Sequence, residues 1–125
     1  MEKILVFGGT QFIGRNLVNE LISSEKYEIT LYNRGITQPK LFENLKRISG
    51  NRNESDLTIL SKENWDYVID LSCYFPHSIK GILLNLPKSV KRYILVSTCS
   101  VYDHDAYHDL FRNEEAPVLS CTASQ

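Results

Sequence analysis

The stretch that most constrains the fold is residues 3–15, KILVFGGTQFIGR, where a short apolar run meets two glycines and then a helical pattern. Residues 4–7 are apolar and rich in β-formers, which predicts a buried parallel strand. Apolar residues then recur with helical spacing and predict a helix from Phe12 to about Ser24 with one apolar face: Ile13, Leu17, Val18, Leu21 and Ile22. A strand that turns directly into a helix presents free backbone N–H groups at a positive helix end, so this stretch predicts a phosphate-binding turn.

The glycines of this turn follow a known pattern. They resemble the G-x-x-G-x-x-G motif of the short-chain dehydrogenase/reductases, in the extended form TGGTGFIG, with Gly8 and Gly14 at the first and third places. Gln11 stands where a middle glycine would let cofactor phosphates approach the backbone, so its side chain must turn aside. The resemblance implies a dinucleotide-binding domain, whereas the glycines alone leave open a tight turn that binds nothing.

Strand and helix patterns alternate through the rest of the chain. Strands are predicted at residues 27–32, 45–49, 65–72 and 93–96, helices at 55–61 and 76–86, and a loop with one helical turn at 36–45. Short connections between alternating elements predict a parallel sheet covered on both sides. We therefore expect one Rossmann-like α/β domain over residues 1–125, a doubly wound parallel sheet with strand order 3-2-1-4-5.

Two helices and one strand end carry finer predictions. Ser55 is expected to cap the first of these helices, with Leu57 and Leu60 facing inward. Pro76 is expected to start the second, whose inner face would hold three apolar residues: Ile79, Leu83 and Leu86. Asp70 would be costly inside a strand without hydrogen bonds, so we expect it at the end of the fourth strand.

The end of the second strand bears on the choice of cofactor. Asn33 lies 19 residues after Gly14, at the position that meets the adenosine ribose in a Rossmann unit. An acidic residue there would bind the 2′-hydroxyl of NAD, whereas a neutral residue followed by an arginine, here Arg34, tolerates the 2′-phosphate of NADP. The sequence therefore predicts NADP or NAD with a slight lean to NADP. A solvated turn charge is the competing interpretation of Arg34.

The resemblance extends to two more segments of the cofactor site. Asn51 and Arg52 follow the third strand where the family has Gly-Asp-x-x-Asp near the adenine ring. The segment WDYVIDLS, residues 65–72, resembles the family's fourth strand, which ends under the nicotinamide-side ribose. Together with the glycine turn, these matches define the predicted cofactor-binding residues: Gly8, Thr10, Gln11, Phe12, Ile13, Gly14, Asn33, Arg34, Asn51, Arg52, Leu71 and Ser72.

The resemblance also implies one residue that contacts substrate. The segment YILVSTCSVY, residues 93–102, is similar to the V-S-S-x-x-V-Y of extended short-chain dehydrogenases, epimerases and dehydratases, whose second hydroxyl residue hydrogen-bonds the reacting oxygen. Thr98 occupies that place and is the predicted catalytic residue, because a hydroxyl can donate to a developing oxyanion. The alternative is that Ser97 and Thr98 only satisfy backbone groups at a strand end.

The family's acid/base pair is missing from this sequence. That pair is a tyrosine with a lysine four residues later, and none of the seven tyrosines here has a lysine at that spacing. The family's last strands and substrate lobe also lack counterparts, so we expect an N-terminal fragment of a longer fold. The expected function is the NAD(P)-binding domain of an epimerase, dehydratase or reductase, acting on a sugar nucleotide or similar polar substrate when full length. The alternative is a non-catalytic module that senses dinucleotides.

Charge and composition restrict the expected partners. With 14 basic and 15 acidic residues the net charge is −1, which predicts neither a nucleic-acid nor a membrane partner. The chain also carries a GGT-x-F-I-G similar to that of chloroplast stem-loop RNA-binding proteins, and this interpretation ranks last because no basic excess supports it. The fifth strand would leave an apolar sheet edge, through which the chain is expected to self-associate.

Cysteine and histidine usage point to no structural metal. Cys73, Cys99 and Cys121 are odd in number and widely spaced, which predicts free thiols in the cytoplasm. His104 and His108 have a spacing that could chelate a metal on a helix, but their polar surroundings favour a solvated loop. We therefore expect no metal site.

Overall fold

A computed structural model of the chain describes residues 1–36, 38–53, 56–97, 114–115 and 118. Its first half contains β1 (Glu2–Phe7), α1 (Phe12–Ser24), β2 (Tyr27–Asn33) and β3 (Lys46–Ser49). A 3₁₀ helix (Leu57–Lys62), β4 (Tyr67–Asp70), α2 (Pro76–Asn85) and β5 (Arg92–Leu95) follow. These bounds lie close to the predicted ones.

The five strands form one parallel sheet in the order β3-β2-β1-β4-β5. The predicted Rossmann-like strand order is therefore confirmed. β1 lies at the centre, where Leu5 is paired with Thr30 on one side and Val68 on the other. The chain moves outward from β1 to β3 and then crosses back to β4, so the direction of winding reverses between β1 and β4.

Alternating side chains of the strands build a core on each face of the sheet. One core lies under α2 and the 3₁₀ helix and consists of Leu5, Phe7, Tyr32, Leu57, Leu60, Trp65, Val68 and Ile82. The other lies under α1 and consists of Ile4, Val6, Val18, Ile29, Leu31 and Ile69. The near-continuous apolar sequence of β1 is explained by this arrangement, since both of its faces are buried.

The predicted apolar face of α1 is correct in its middle and wrong at both ends, where Ile13 and Ile22 are exposed. Val18 is fully buried, and Leu17 and Leu21 pack against the same core. Ile13, in contrast, is 58% exposed, because the first turn of α1 lines the cleft described below and does not cover the sheet.

The predicted inner face of α2 is correct for Leu86, which packs against the core under the helix, and wrong for Leu83. Ser78 and Ile82 are buried, whereas Leu83 is 52% exposed. The helix packs on the 3₁₀ helix through small residues, since a Cβ at Gly81 would lie 3.3 Å from Leu57 Cδ1. The Ser78 hydroxyl also hydrogen-bonds the side chain of Asn53. These contacts rotate Leu83 toward solvent.

The 3₁₀ helix is capped by Asp56, whose Oδ1 accepts a hydrogen bond of 2.9 Å from the Thr58 backbone N–H. This bond lowers the pKa of the Asp56 carboxyl below its ordinary value. Ser55, the predicted cap, lies outside the described residues. Leu57 and Leu60 face inward as predicted.

The edge of the sheet at which the strands begin is closed by exposed ion pairs, and we call it the N-terminal edge. Asp66 accepts a hydrogen bond of 2.8 Å from the Lys3 backbone N–H. Lys91 Nζ lies 3.2 Å from Asp66 and 2.9 Å from Glu2. Within the described part of the chain, no helix is both long enough and apolar enough to cross a membrane.

Candidate functional site

A cleft of about 490 Å³ opens at the opposite edge, where the strands end and the winding reverses between β1 and β4. In doubly wound sheets this is the usual position of a ligand site, because the connections on either side run in opposite directions and leave a crevice. The cleft is lined by the turn after β1 and the ends of β2, β3 and β4. All twelve residues predicted to bind a cofactor line it: Gly8, Thr10, Gln11, Phe12, Ile13, Gly14, Asn33, Arg34, Asn51, Arg52, Leu71 and Ser72. Their contact with a ligand stays a prediction.

The turn after β1 requires glycine at two places. Gly8 has φ +83°, a left-handed conformation, and a Cβ there would lie 3.0 Å from the Cβ of Ser72. A Cβ at Gly14 would lie only 2.3 Å from the Gly8 carbonyl oxygen, so the first turn of α1 touches the backbone of the preceding strand. The spacing of the two glycines in the sequence thus has a direct structural cause.

The N-terminus of α1 faces the cleft without a side-chain cap. Gln11 occupies the N-cap position in an extended conformation, and its side chain makes no capping hydrogen bond. The first turn contains no acidic residue, and its first intrahelical bond runs from Arg15 N–H to the Gln11 carbonyl. The helix therefore keeps its positive end and the N–H groups of its first turn for another acceptor. Phe12 begins the helix with φ 40° and is 86% exposed.

The end of β2 places a buried amide on the cleft wall. Asn33 Oδ1 accepts from the Gly35 backbone N–H at 3.0 Å, and the Asn33 carbonyl accepts from Gly50 at 2.9 Å. Asn33 Nδ2 is buried without a hydrogen-bond acceptor among the described residues. Arg34 is exposed beside it and lines the same wall. This edge of the cleft therefore holds an unsatisfied donor and a cation.

A buried ion pair underlies the cleft. Arg52 donates to both carboxylate oxygens of Asp70, at 2.5 and 2.7 Å, and its side chain is only 8% exposed. The same guanidinium lies 3.2 Å from Ser72 Oγ and 4.9 Å from the centre of the Phe7 ring. Asp70 is completely buried at the last position of β4, so its predicted place at the strand's end and its need for hydrogen bonds are both confirmed.

Tyr93 completes this polar group from β5. Its hydroxyl hydrogen-bonds Asp70 Oδ2, and burial together with that bond raises the pKa of the phenol well above its ordinary value. Burial alone would lower the pKa of Arg52, but the hydrogen bonds to Asp70 and the negative charge of Asp70 together outweigh burial and raise it. Arg52 is therefore charged and Tyr93 protonated at neutral pH.

Sequence reasoning found both members of the ion pair but not the pairing. Asp70 was recognised from its position at a strand end, and Arg52 was assigned only to the cofactor. The two residues are 18 positions apart, Arg52 in the loop after β3 and Asp70 in β4, and no local periodicity links them. The one available signal was that a buried carboxylate at a strand end needs a cation from a neighbouring strand end.

Thr98, the predicted catalytic residue, lies outside the described residues, as do His104 and His108. Among the residues that are described, no cluster of three or more histidine, cysteine or carboxylate side chains is placed to hold a metal ion. Cys73 is a free thiol.

Fold and cleft together define a Rossmann-type α/β domain with an open site at the reversal point. Solved structures of similar fold include UDP-glucose 4-epimerase from Thermotoga maritima, with a TM-score of 0.75 and 20% identity over 98% of this chain. An NAD-dependent NDP-hexosamine 5,6-dehydratase of tunicamycin biosynthesis gives a TM-score of 0.72 and 21% identity over 95% of this chain. A short-chain dehydrogenase/reductase from Veillonella parvula gives 0.66 and 22% over 80%. The resemblance to the N-terminal part of such enzymes is confirmed at the level of fold.

Sequence comparison adds one curated relative. The chloroplast stem-loop binding protein of 41 kDa b from Arabidopsis thaliana is 29% identical over 116 residues, which cover 81% of this chain and 30% of that protein. No protein-family profile matches the chain. The chain spans 44 to 49% of the three solved structures, so it corresponds to less than half of each.

Proposed function

We propose that the chain is the NAD(P)-binding domain of an oxidoreductase of the epimerase, dehydratase or reductase type, in which it forms the N-terminal part of a longer fold. The observation that carries the proposal is the contact of Gly14 with the Gly8 carbonyl, which brings an uncapped helix N-terminus to the cleft. Such an end binds phosphate through backbone N–H groups. The TM-scores to an epimerase and a dehydratase support the same conclusion.

The described residues fit a dinucleotide. The two glycines allow close packing of the turn, Gly8 against Ser72 and Gly14 against the Gly8 carbonyl, which holds the N-terminus of α1 at the cleft where a pyrophosphate would bind. The buried Nδ2 of Asn33 lies where the adenosine ribose would supply an acceptor. When bound, the cofactor would supply hydride chemistry, and the role of this chain is to hold and orient it.

The choice between the two cofactors rests on Arg34. The dehydratase of similar fold is named as NAD-dependent, which favours NAD. The neutral Asn33 and the exposed Arg34 would accommodate a 2′-phosphate, which is the basis of the lean to NADP. We propose a nicotinamide dinucleotide, with NADP as the form that Arg34 would favour.

The proposed substrate is a sugar nucleotide. The names of two enzymes of similar fold specify UDP-glucose and an NDP-hexosamine. Thr98 is the proposed contact to the reacting oxygen in the longer protein. A non-catalytic dinucleotide sensor remains the alternative, since the tyrosine–lysine pair is missing from this chain. The two differ in whether the longer protein turns over a sugar nucleotide.

Calorimetric titration with NAD⁺ and NADP⁺ tests the proposal. We expect saturable binding that Gly14→Ala abolishes, because the new methyl group would displace α1 from the Gly8 carbonyl. Arg34→Ala should weaken the binding of NADP⁺ by about tenfold and leave the affinity for NAD⁺ unchanged. Lys26→Ala, an exposed cation beyond the other end of α1, is the matched control. If folded wild-type protein binds neither cofactor, the proposed function is wrong.

RNA is a second candidate ligand because the Arabidopsis relative is named for stem-loop binding. The net charge of −1 gives no general attraction to phosphate backbones, so we keep the prediction of no nucleic-acid partner. A gel-shift assay with a stem-loop RNA, with and without saturating NAD⁺, tests it. An RNA complex that forms at physiological salt would contradict the prediction, and displacement by NAD⁺ would place the RNA in the cleft.

The exposed margin of β5 supports the proposed self-association. Ile94, Leu95 and Val96 are each 39 to 45% exposed at this sheet edge. We propose that the isolated chain forms homo-oligomers through this edge, and that the cytoplasm is its compartment. Sedimentation velocity over a concentration series tests the first point, and a single monomeric species throughout would contradict it.

A further inference from the structure

Arg52 separates the cleft from a buried carboxylate. Its side chain lines the cleft, whereas Asp70 lies behind it and does not reach the cleft. The guanidinium lies across the Phe7 ring, with 4.9 Å between its central carbon and the ring centre. Any ligand that enters the cleft therefore meets a cation whose counter-charge is fixed beneath it.

The carboxylate of Asp70 is held from three directions. Arg52 donates to both of its oxygens, the Ser72 backbone N–H donates to Oδ1 at 3.1 Å, and the Tyr93 hydroxyl donates to Oδ2. These donors come from the loop after β3, from the exit of β4 and from β5. Because every partner sits on a different element, the carboxylate cannot move without breaking several bonds at once.

We propose that Asp70 is a positioning residue that holds Arg52 as the floor of the cleft and sets how strongly the cleft attracts an anionic ligand. Arg52 then contributes shape and directed N–H groups, while Asp70 cancels most of its charge. This inference rests on the proposed function, in which the cleft receives the phosphates of a dinucleotide. It adds that the negative charge of Asp70, beneath the cleft, lowers the affinity of the cleft for those phosphates.

The proposal predicts that three variants change ligand affinity in different directions, whereas a loss of structure would weaken binding in all of them. Removing the charge of Asp70 leaves Arg52 uncompensated, so phosphate-bearing ligands should bind more tightly. Removing Arg52 leaves the charge of Asp70 beneath the cleft, so the same ligands should bind more weakly. Removing both charges should return affinity toward the wild-type value. At the effective dielectric constant of such sites, one unit charge at this depth changes affinity by about tenfold.

The experiment compares Asp70→Asn, Arg52→Met and the double variant by calorimetry. Asparagine keeps the size of aspartate and one acceptor oxygen but loses the charge and the second acceptor, and methionine can still pack on Phe7. The ligands are NAD⁺, ADP, inorganic pyrophosphate and, as an uncharged control, adenosine. For the three anions we expect about tenfold tighter binding to Asp70→Asn and about tenfold weaker binding to Arg52→Met. The double variant should lie within about threefold of wild type.

Salt dependence is a second readout. The affinity of Asp70→Asn for ADP should fall more steeply with rising ionic strength than that of wild type, because an uncompensated charge is exposed to the ligand. Adenosine should bind all folded variants with the same affinity.

The experiment still tests the proposal if one of the single variants does not fold. If Asp70→Asn does not fold, recovery of affinity from Arg52→Met to the double variant carries the same information. If Arg52→Met does not fold, Asp70→Asn and the double variant suffice. Equal affinities of the folded variants for ADP, or weaker binding in each of them, would overturn the inference.

Failure of this inference is distinct from failure of the proposed function. If wild type binds NAD⁺ but the variants lack the expected signs, the cleft is a dinucleotide site and Asp70 is only structural. If wild type binds pyrophosphate and ADP with the expected signs but not NAD⁺ or NADP⁺, the charge arrangement is correct and the dinucleotide assignment is wrong.

Discussion

The two edges of the sheet both carry ion pairs, but in opposite environments. At the cleft, Arg52 and Asp70 are 8% and 0% exposed in their side chains. At the N-terminal edge, the side chains of Lys91 and Glu2 are 57% and 44% exposed. Both groups link strands of the sheet: Tyr93 of β5 bonds Asp70 of the neighbouring β4 at the cleft, and Lys91, just before β5, contacts Glu2 of β1 at the other edge.

The difference shows that burial decides what an ion pair does for a protein. Water replaces a lost partner at the N-terminal edge, so the net contribution of such a pair is small. No water is available to a fully buried carboxylate, so its pairing with Arg52 is obligatory once the fold places it there. The buried pair is thus less a source of stability than a condition that the fold must satisfy.

The largest expected effect is at Asp70. Asp70→Ala should lower the free energy of unfolding by about 3–5 kcal/mol, because it leaves the Arg52 guanidinium buried without its counter-charge. Urea denaturation followed by tryptophan fluorescence measures it, since Trp65 is buried in the core on one face of the sheet. If Asp70→Ala lowers the free energy of unfolding no more than the removal of an exposed ion pair does, burial does not distinguish the ion pairs at the two edges.

An intermediate effect is expected at Tyr93. Tyr93→Phe should cost about 1–2 kcal/mol at pH 7, because it deletes one hydrogen bond to a charged group. The folded-state pKa of Tyr93 is raised, so its contribution is complete below the unfolded value of about 10 and is lost as the pH rises through the folded value. Wild type should therefore lose stability above about pH 10 more steeply than Tyr93→Phe.

Tyr67 supplies the matched control for that pH profile. It lies in β4 toward the N-terminal edge, and a hydrogen bond to Glu2 raises the pKa of its phenol. Thermal melts between pH 8 and 11 give the slope of melting temperature against pH. Tyr67→Phe should change this slope less than Tyr93→Phe does, because the partner carboxylate of Tyr67 is exposed to water. Equal slopes for both variants would mean that burial does not distinguish the two phenols.

The smallest expected effect is at Lys91. Lys91→Ala should shift the melting temperature less than Tyr93→Phe does, and the shift should vanish in high salt, because its ion pairs are exposed. The hydrogen bond from the Lys3 backbone lowers the pKa of Asp66, so the contribution of this carboxylate is present above its unfolded pKa and is lost as the pH falls through the folded one. A large shift in the melting temperature of Lys91→Ala that persists in high salt would contradict the conclusion that exposed ion pairs contribute little.

Local pattern was enough to predict the order of the elements and the members of the cleft. The glycine spacing and the apolar run before it identified the turn, and the carboxyl ends of the strands then had to meet at one edge. Where prediction failed, the cause was packing between elements distant in sequence. Leu83 was expected inside, but the contact of Gly81 with Leu57 rotates α2, and Ile13 faces the cleft instead of the core.

Residue spacing along single segments was sufficient to predict the succession of strands and helices, the glycine turn and the placement of Asp70 at a strand end. The pairing of Arg52 with Asp70 and the contact of Tyr93 with the same carboxylate are visible only in the folded structure. These partners come from three segments, and their approach depends on the register of neighbouring strands. Charge compensation is a property of distances across the sheet, and a linear pattern contains no such distances.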